Sequence, residues 1–415
     1  MQFFIILFVS LFFTIQTIYS QTNAEYTLED LVARAELKAE IILAGQASVE
    51  EAEFLKRQAG KFKNPSIKLD YGRRRASNET GPEYSVEVSQ DFYYPGKREL
   101  RVKIAEENEK SLEANLEERK LEYKYSVIKL VYSYLIAAEK ATHIKDRVKR
   151  FALMESFIKR KAFVTPQSKS ELFIVQNRLL NLQKHLIELE RDQFLEWEKL
   201  NFFLGLDSRV KIKPSWFKRG ITFNKELVAN EMLERNPILK KAKISIQKST
   251  AEARLAGLEK YSDLKIQGAI GEDRSGVANK FFDLGVTFNI PVLDRNQNQV
   301  KSIESRIASE NYLLSHQTRL LISKLNAAII DYESAREILK NFSIDSISEM
   351  EEKLTFADTE FQKGRLNLIS YLELETQLHE THHAIYDTQL EYVDKYTQVL
   401  FLTNNSTFTG ESNAK

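Results

Sequence analysis

The sequence predicts a mainly α fold with a small β part, in which one structural plan occurs twice. Three observations lead to this prediction. The chain aligns with itself at an offset of 196 positions, it has only 14 glycines and 7 prolines in 415 residues, and four short segments alternate apolar with polar side chains. Each half therefore comprises a long helix, two strands and a hairpin of two very long helices.

Matching segments place the two repeats in register. Residues 30–33 (DLVA) align with 226–229 (ELVA), and the segment SIKLDYG ending at Gly72 aligns with SDLKIQG ending at Gly268. The organisation that follows is a signal peptide at 1–20, a first repeat at 21–206, a linker at 207–224, a second repeat at 225–402 and a disordered polar tail at 403–415.

Apolar periodicity and helix-stopping residues define the elements. Asn64-Pro65 ends the first helix, because a proline disfavours helix in the residue before it. The predicted helices are 28–62, 97–161 with a break near His143, 169–203, 225–260, 297–363 with a break near Asn341, and a last helix that follows the turn at Gly364 and ends near Leu402. The predicted strands are 67–71, 84–91, 263–270 and 282–290.

Charge and composition exclude several classes of protein. The 60 basic and 59 acidic residues give a net charge of +1, which does not favour nucleic-acid binding. Because the chain has no cysteine, it can form no disulfide, no thiolate metal site and no acylated lipoprotein terminus. The sequence contains no glycine-rich phosphate loop and no HExxH segment, so we expect neither an enzyme nor a cofactor.

The N-terminal segment is almost wholly apolar, with the run FFIILFVSLFFTI. This run is too short and too close to the start for a comfortable membrane span. Ile18 and Ser20 suit the minus-three and minus-one positions of a signal-peptidase site, so we expect a mature start near Gln21. An uncleaved anchor is the alternative.

The alternating segments have two interpretations. In a soluble sheet the apolar face packs on a core, whereas in a membrane barrel it faces lipid and the polar face lines water. The signal peptide and the long helices favour the membrane interpretation. Four strands cannot close a barrel, and an open edge leaves unpaired backbone groups in lipid, so several chains must combine, and three copies supply 12 strands. The residues expected to face lipid are Val86, Val88, Leu284, Val286 and Phe288.

The long helices need partners along their length. Helix 297–363 alone extends about 100 Å at ~1.5 Å per residue, and the last helix has a heptad pattern. One row is Tyr371, Leu378, Ile385, Tyr392 and Val399, and the neighbouring row is Leu372, His379, Tyr386, Val393 and Leu400. Together the two rows form a wide apolar stripe, which suits a helix with neighbours on both sides, as in a helical barrel. An ordinary helical bundle is the alternative.

The whole mature chain resembles the TolC-like outer-membrane efflux proteins. Besides the duplicated plan, two segments carry this resemblance. FQKGRLNLISYLELETQL at 361–378 is similar to the family's Y-x-x-G tip and the helix start after it, and GVTFNIPVLDRNQNQV at 285–300 is similar to its last strand running into a helix. The string PVLDRNQ is most similar to the cobalt–zinc–cadmium (CzcC-like) branch, which has a glycine at the position of Asn298.

The resemblance implies a homotrimer with a 12-stranded barrel in the outer membrane of a diderm bacterium and a helical barrel in the periplasm. It implies a passive exit duct that receives cargo from an inner-membrane RND-type pump through a periplasmic adaptor. Heavy-metal cations are the cargo that the similar branch suggests. The alternatives are a duct for drug efflux or type I protein secretion, and a coiled-coil envelope protein without a pore.

The resemblance also assigns candidate site residues. The tip residues expected to meet the adaptor are Val164, Thr165, Gly364, Arg365 and Leu366. Two residues depart from the family's pattern, since Phe361 replaces the tip tyrosine and Ser370 replaces the first of two acidic residues. The second is retained as Glu373. Ser370 and Glu373 are expected at the pore constriction, where three Glu373 carboxylates would form a ring, and a solvated helix glutamate is the alternative.

Three histidines of the last helix, His379, His382 and His383, occur at i, i+3 and i+4, so their side chains can gather on one flank. Imidazole binds Zn²⁺ and Cu²⁺, which makes a transient metal site one hypothesis. No cysteine and no adjacent carboxylate pair completes such a site. His379 also lies in an apolar row, so packing is the competing interpretation.

Overall fold

The computed structural model describes residues 25–76, 79–161, 166–213, 222–341 and 344–405. Its helices are α1 (Leu28–Lys38), α2 (Glu40–Ala59), α3 (Lys97–Lys161), α4 (Pro166–Leu204), α5 (Lys225–Arg235), α6 (Pro237–Leu258), α7 (Gln297–Asn341), α8 (Ile344–Gln362) and α9 (Leu368–Leu402). Its strands are β1 (Glu25–Tyr26), β2 (Ser66–Ala76), β3 (Glu79–Phe92), β4 (Lys211–Ile212), β5 (Leu264–Asp273) and β6 (Asn279–Thr287). The predicted signal peptide, the tip residues Val164 and Thr165, and most of the predicted tail lie outside the described residues.

The order of elements repeats along the chain. The first half contributes α1, α2, β2, β3, α3 and α4, and the second half contributes α5, α6, β5, β6, the pair α7 and α8, and α9. Corresponding elements begin at an offset within a few residues of 196. The predicted mainly α fold with a small β part is therefore confirmed.

The first long helix of each repeat is in fact two helices, whereas the sequence analysis predicts one. Ala39 separates α1 from α2 and Asn236 separates α5 from α6, both with extended backbone. At the second break, Pro237 disfavours helix for Asn236, whose side chain caps α6 by accepting from two backbone amides. The buried Asn236 side chain also donates to the Leu402 carbonyl at 2.8 Å, which ties this break to the end of α9.

The helical hairpins are close to the predicted lengths. The predicted break near His143 does not occur, because α3 runs unbroken for 65 residues, about 98 Å at ~1.5 Å per residue. The predicted break near Asn341 coincides with the end of α7. The return helix α4 begins slightly earlier than predicted, at Pro166, since proline is well tolerated in the first helical turn. Among the described helices, none is both long enough and apolar enough to cross a membrane.

The sheet brings the strands of both repeats side by side. β2, β3, β5 and β6 form one antiparallel sheet in that order. Each repeat contributes a hairpin, and β3 pairs with β5 to join the two, with Val86 opposite Ile270. β1 and β4 form a separate parallel pair, with Tyr26 opposite Ile212. Within the described chain, β2 and β6 are the edge strands of the larger sheet.

A buried lysine attaches the sheet to the helices. Lys97, the first residue of α3, is 2% exposed. Its ammonium donates to the Glu259 carboxylate at 2.9 Å, the Tyr261 carbonyl at 2.7 Å and the Asp263 carboxylate at 3.1 Å. Because a buried ammonium group needs partners for its three donors, these contacts hold the start of α3 against the connection between α6 and β5.

Three apolar clusters are spaced along the helices, and α9 contributes to all of them. The first joins α1, α3, α4, α7 and α9, and there the Tyr332 and Tyr392 hydroxyls are 3.0 Å apart. The second joins α3, α4, α8 and α9 around Phe151 and Tyr371, and the third joins α5, α6, α7 and α9 around Met232. All five residues of the first predicted heptad row of α9 are buried. The wide apolar stripe of α9 therefore reflects neighbours on several sides.

The packed part of the chain extends past Leu402, where the sequence analysis places the start of the tail. The buried Thr403 hydroxyl donates to the Val399 carbonyl at 2.9 Å. The Asn404 side chain donates to the Arg235 carbonyl at 3.1 Å. The first hydrogen bond caps the end of α9, and the second holds that end against α5.

Candidate functional site

The four-stranded sheet presents an apolar face to solvent in the single chain. The five residues expected to face lipid are 38–74% exposed: Val86, Val88, Leu284, Val286 and Phe288. The first four lie on this apolar face of the sheet, and Phe288 directly follows β6. One cross-strand row of this face consists of Leu69, Val86, Ile270 and Phe282, from β2 to β6. Side chains in directly opposed positions are in contact distance, so the apolar layer is continuous across the four strands.

The opposite face of the sheet is mostly polar or small. One of its rows consists of Lys68, Glu87, Ala269 and Asp283. Phe281 is an exception that the sequence analysis missed. A Cβ atom at Gly271 would lie 2.3 Å from the Phe281 ring, so the glycine opposite this side chain makes room for it.

The predicted tip on the second repeat is a tight turn between α8 and α9. Gly364 has φ of +73°, a conformation that favours glycine. The backbone amides of Gly364 and Arg365 each donate at 2.9 Å, to the carbonyls of Phe361 and Glu360 respectively. The Arg365 side chain is 70% exposed, whereas Leu366 is half-buried against the second apolar cluster. Gly364 and Arg365 are thus accessible to a partner, while Leu366 also stabilises the turn.

The substitution at the tip tyrosine position is accommodated by packing. Phe361 is buried, and its ring centroid lies 6.1 Å from that of Phe157 and 5.4 Å from that of Tyr371. Although Phe361 has no hydroxyl, the Tyr371 hydroxyl donates to the Asp358 carboxylate at 2.6 Å. Near the tip, Tyr371 therefore provides a tyrosine–carboxylate hydrogen bond that Phe361 cannot make.

The two predicted constriction residues lie at the start of α9. The Asn367 side chain caps this helix by accepting from the Ser370 amide at 2.8 Å. Glu373 is exposed, and its carboxylate accepts from the Gln377 side chain at 2.8 Å. Glu373 is therefore on the solvent side of α9 in the single chain.

The buried acidic residue of α9 is Glu375, which the sequence analysis missed. Its carboxylate forms a two-pronged salt bridge with the buried Arg147 guanidinium of α3, in which Arg147 Nη2 is 2.7 Å from Glu375 Oε2. In a heptad repeat, the buried row that begins at Tyr371 is accompanied by a second buried row four residues further along the helix. That second row contains Glu375 and His382. A polar residue in a buried row predicts a buried partner, so the signal was present in the sequence.

The structure brings five histidines together above the tip. His379, His382 and His383 of α9 are joined by His143 of α3 and His185 of α4, neither of which the sequence analysis assigns to a site. His379 Nδ1 lies 3.4 Å from His143 Nε2, and the His143 and His382 rings stack with centroids 4.4 Å apart. Ring nitrogens of His185, His379 and His383 all lie within 4.8 Å of one another.

Burial keeps four histidines of this cluster, His143, His379, His382 and His383, uncharged at neutral pH. Burial, followed by the positive charge of Arg147, lowers the pKa of His379 to about 2. Burial is also the main cause that lowers the pKa of His143 to about 3 and that of His383 to about 4, and it lowers the pKa of His382. Neutral imidazoles have a ring nitrogen with an available lone pair, which is the form that binds metal ions.

The buried salt bridge gives a testable prediction. Glu375→Leu leaves the Arg147 charge buried without its partner, which should reduce the free energy of unfolding by about 3–5 kcal/mol. The double variant Arg147→Met with Glu375→Leu should recover most of this loss, because two apolar side chains replace the pair. Denaturant unfolding followed by helical circular dichroism measures both. Glu349→Gln, which breaks the exposed pair with Lys353, is the control and should have no measurable effect. Equal destabilisation of the single and double variants would contradict the prediction.

Comparisons with known proteins identify the fold. No protein-family model matches the chain, and no curated protein matches it. Several solved structures do match. CusC, which forms a transmembrane channel, has a TM-score of 0.76 at 12% identity over 92% of each chain. The outer-membrane channel OprN has a TM-score of 0.77 at 13% identity over 91% of this chain and 90% of its own. The CmeC outer membrane channel of Campylobacter jejuni has a TM-score of 0.74 at 13% identity over 92% of this chain and 87% of its own. The chain therefore has the fold of outer-membrane channels, the fold that the TolC-like resemblance implies.

Proposed function

We propose that the chain is the outer-membrane exit duct of a tripartite efflux system. Three copies close a 12-stranded barrel in the outer membrane and a helical barrel in the periplasm. The observation that carries this proposal is the exposed apolar face of the sheet, on a chain with the fold of outer-membrane channels. A contiguous apolar face of this kind needs a cover in water, and lipid provides one.

The dimensions and side chains of the sheet support a membrane location. β3 has 14 residues, about 46 Å at ~3.3 Å per residue, which suffices for a tilted strand to cross the roughly 30 Å hydrocarbon layer. Tyr71 and Tyr84 lie opposite each other near one end of the apolar face, and Phe92 and Phe288 lie near the other. Aromatic residues at both ends of an apolar band are typical of the two lipid–water interfaces.

The edges of the sheet support an oligomer. Within the described chain, β2 pairs only with β3 and β6 only with β5, so each copy has two outer strand edges. Lipid offers no hydrogen bonds to such edges. Pairing of β2 with β6 of the next copy satisfies them, and three copies then supply 12 strands around a closed barrel.

The other end of the molecule suits contact with an adaptor. The hairpin of α3 and α4 and the hairpin of α8 and α9 turn at corresponding positions of the two repeats. We assign the adaptor contact to these turns, through Val164 and Thr165 in the first and Gly364, Arg365 and Leu366 in the second. The adaptor then delivers cargo from an inner-membrane pump of the RND type, and the duct itself conducts passively.

The cargo that we propose is heavy-metal cations, on the resemblance of PVLDRNQ to the cobalt–zinc–cadmium branch. The segment also has a structural role at the start of α7. The Asp294 carboxylate accepts from the Asn296 amide at 2.8 Å, and the Asn296 side chain, in a residue with φ of 61°, donates to the Ala256 carbonyl at 2.9 Å. Drug efflux and type I secretion are the competing cargo classes, and the pump encoded beside this protein would distinguish them.

Arginine substitutions on the two faces of β6 test the membrane location. Val286→Arg places a charge on the apolar face, where lipid contact should cost about 2–4 kcal/mol near the membrane centre. We expect this variant to lose heat-modifiable trimers from outer-membrane fractions on electrophoresis. Thr287→Arg is the matched control on the opposite, water-lined face and should assemble normally.

Both positions are exposed in the single chain, so a soluble sheet would tolerate both changes. Equal tolerance of the two arginines would contradict the membrane location and favour the coiled-coil envelope protein without a pore. A second lipid-face variant, Phe288→Arg, should behave like Val286→Arg.

Channel recordings test the role of Glu373. Three Glu373 carboxylates in a narrow ring attract cations and bind divalent metal. In planar bilayers the wild-type trimer should prefer cations, and divalent metal should lower its conductance at low salt. Glu373→Gln should assemble normally, lose the block and become less cation-selective. Identical selectivity and block in the two proteins would make Glu373 an ordinary surface residue.

A further inference from the structure

Five of the six histidines of this chain lie at one level of the helical hairpins. His143 comes from α3 and His185 from α4, both of the first repeat, while α9 of the second repeat supplies His379, His382 and His383. Only 11 to 19 residues of each helix separate the cluster from the tip, about 17–29 Å at ~1.5 Å per residue. Residues more than 200 positions apart in the sequence therefore share one small volume.

The distances within the cluster are close to those of a metal site. Nitrogen ligands lie about 2.0–2.1 Å from Zn²⁺, so neighbouring ligands of a tetrahedral site are roughly 3.3–3.5 Å apart. His379 Nδ1 and His143 Nε2 are already 3.4 Å apart. One ring nitrogen from each of His185, His379 and His383 lies within 4.8 Å of the other two, so small side-chain rotations bring these three nitrogens to ligand distances.

We propose that this cluster is a binding site for a divalent transition-metal ion such as Zn²⁺, held by His185, His379 and His383 with His143 as the fourth ligand. Imidazole nitrogens suit Zn²⁺, Co²⁺ and Cu²⁺ and are poor ligands for Mg²⁺ and Ca²⁺, which take oxygen.

Unpaired ring nitrogens give a second reason for the site. Across the described parts of the chain, neither ring nitrogen of His382 has a hydrogen-bond partner, and the same is true of His383 Nε2. His382 is only 2% exposed. Buried polar atoms without partners are uncommon and costly. Metal binding by His383 would give its unpaired ring nitrogen a partner. The His382 ring stacks on His143 and therefore lies directly beside a proposed ligand.

The charges around the cluster permit a bound cation. Arg147 would repel one, but it is paired with the Glu375 carboxylate. Likewise Lys140 Nζ lies 2.6 Å from the Asp387 carboxylate. Each of these positive charges therefore has an adjacent carboxylate that offsets part of its repulsion of a cation.

A carboxylate is also placed to orient one ligand. Glu188 Oε2 lies 3.6 Å from His185 Nδ1, which leaves the other ring nitrogen of His185 for the metal. Metal-binding histidines commonly donate their second nitrogen to a carboxylate, and Glu188 is the carboxylate beside His185. A metal ion held here would join α4 of the first repeat to α9 of the second. The inference does not depend on the exit-duct proposal, since it concerns a resident site in a single chain.

Metal titration of the purified mature protein, produced without a polyhistidine tag and stripped with a chelator, tests the proposal. Co²⁺ should bind at one ion per chain and give the intense visible bands of four-coordinate cobalt, and Zn²⁺ should displace it. Mg²⁺ should not compete. The double variant His379→Gln with His383→Gln should weaken binding by about 100-fold or more, and His185→Gln should weaken it by at least about tenfold.

Control variants keep this test decisive. The sixth histidine, His316, is exposed on α7, so His316→Gln should bind cobalt as the wild type does. Helical circular dichroism in the absence of metal shows whether the histidine variants fold, and the single His185→Gln variant, at a partly exposed position, serves if the double variant does not. The proposal is overturned if cobalt binds at far less than one ion per chain, if its bands are those of six-coordinate cobalt, or if His185→Gln folds and binds as tightly as the wild type.

Discussion

The backbone groups along the outer edges of β2 and β6 constrain the rest of this structure. The four strands form one antiparallel sheet with an apolar face, and that face cannot enter lipid while two strand edges lack hydrogen-bond partners. The proposed pairing between copies would remove both edges at once. Because β3 and β6 are each followed along the chain by a long helix, α3 and α7, closure of the proposed barrel would also place the long helices of neighbouring copies side by side. The need for lateral helix partners and the need for edge pairing therefore have the same solution.

Polar layers between apolar clusters specify how the helices align. An apolar stripe alone permits a helix to shift by one turn with little loss of contact. A shift of α9 by one turn would separate Glu375 from Arg147 and leave two buried charges unpaired, which is strongly unfavourable. The Asn236 side chain sets a similar fixed point at the other end of α9, through its bond to the Leu402 carbonyl. These contacts fix the register that positions Glu373 and the tip turn.

Much of the fold was predictable because the duplication is visible in the sequence. Each repeat supports the assignment of the other, and the strand alternation gives the correct faces for Val86 and Val286. The break at Asn236 carries a signal, an asparagine cap followed by proline. The break at Ala39 carries none, since the alanine side chain makes no capping hydrogen bond.

The sites were less predictable because they join distant parts of the chain. The spacing of His379, His382 and His383 indicates a shared flank of one helix, but only the packing of α3 and α4 against α9 brings His143 and His185 to it. The partner of Glu375 was hidden in the same way, since Arg147 lies 228 positions away. Local periodicity identifies buried rows, whereas the identity of the facing residue depends on tertiary packing.

Disulfide formation between β2 of one copy and β6 of the next is the most direct test of whether the sheets pair into a closed barrel. The natural chain has no cysteine, so only introduced cysteines can cross-link. Single cysteines at Ser66, Lys68 or Asp70 of β2 would be combined with one at Asp283, Gly285 or Thr287 of β6. Within one chain these strands are three strand spacings apart, about 14 Å, beyond the roughly 7 Å limit for a disulfide.

Ser89→Cys with Gln267→Cys, directly opposed on β3 and β5, is the control and should cross-link within one chain. If three copies close the barrel, at least one β2–β6 cysteine pair should give covalent dimers and trimers and nothing larger. Monomers alone from all nine pairs, or a ladder that continues beyond trimers, would contradict it.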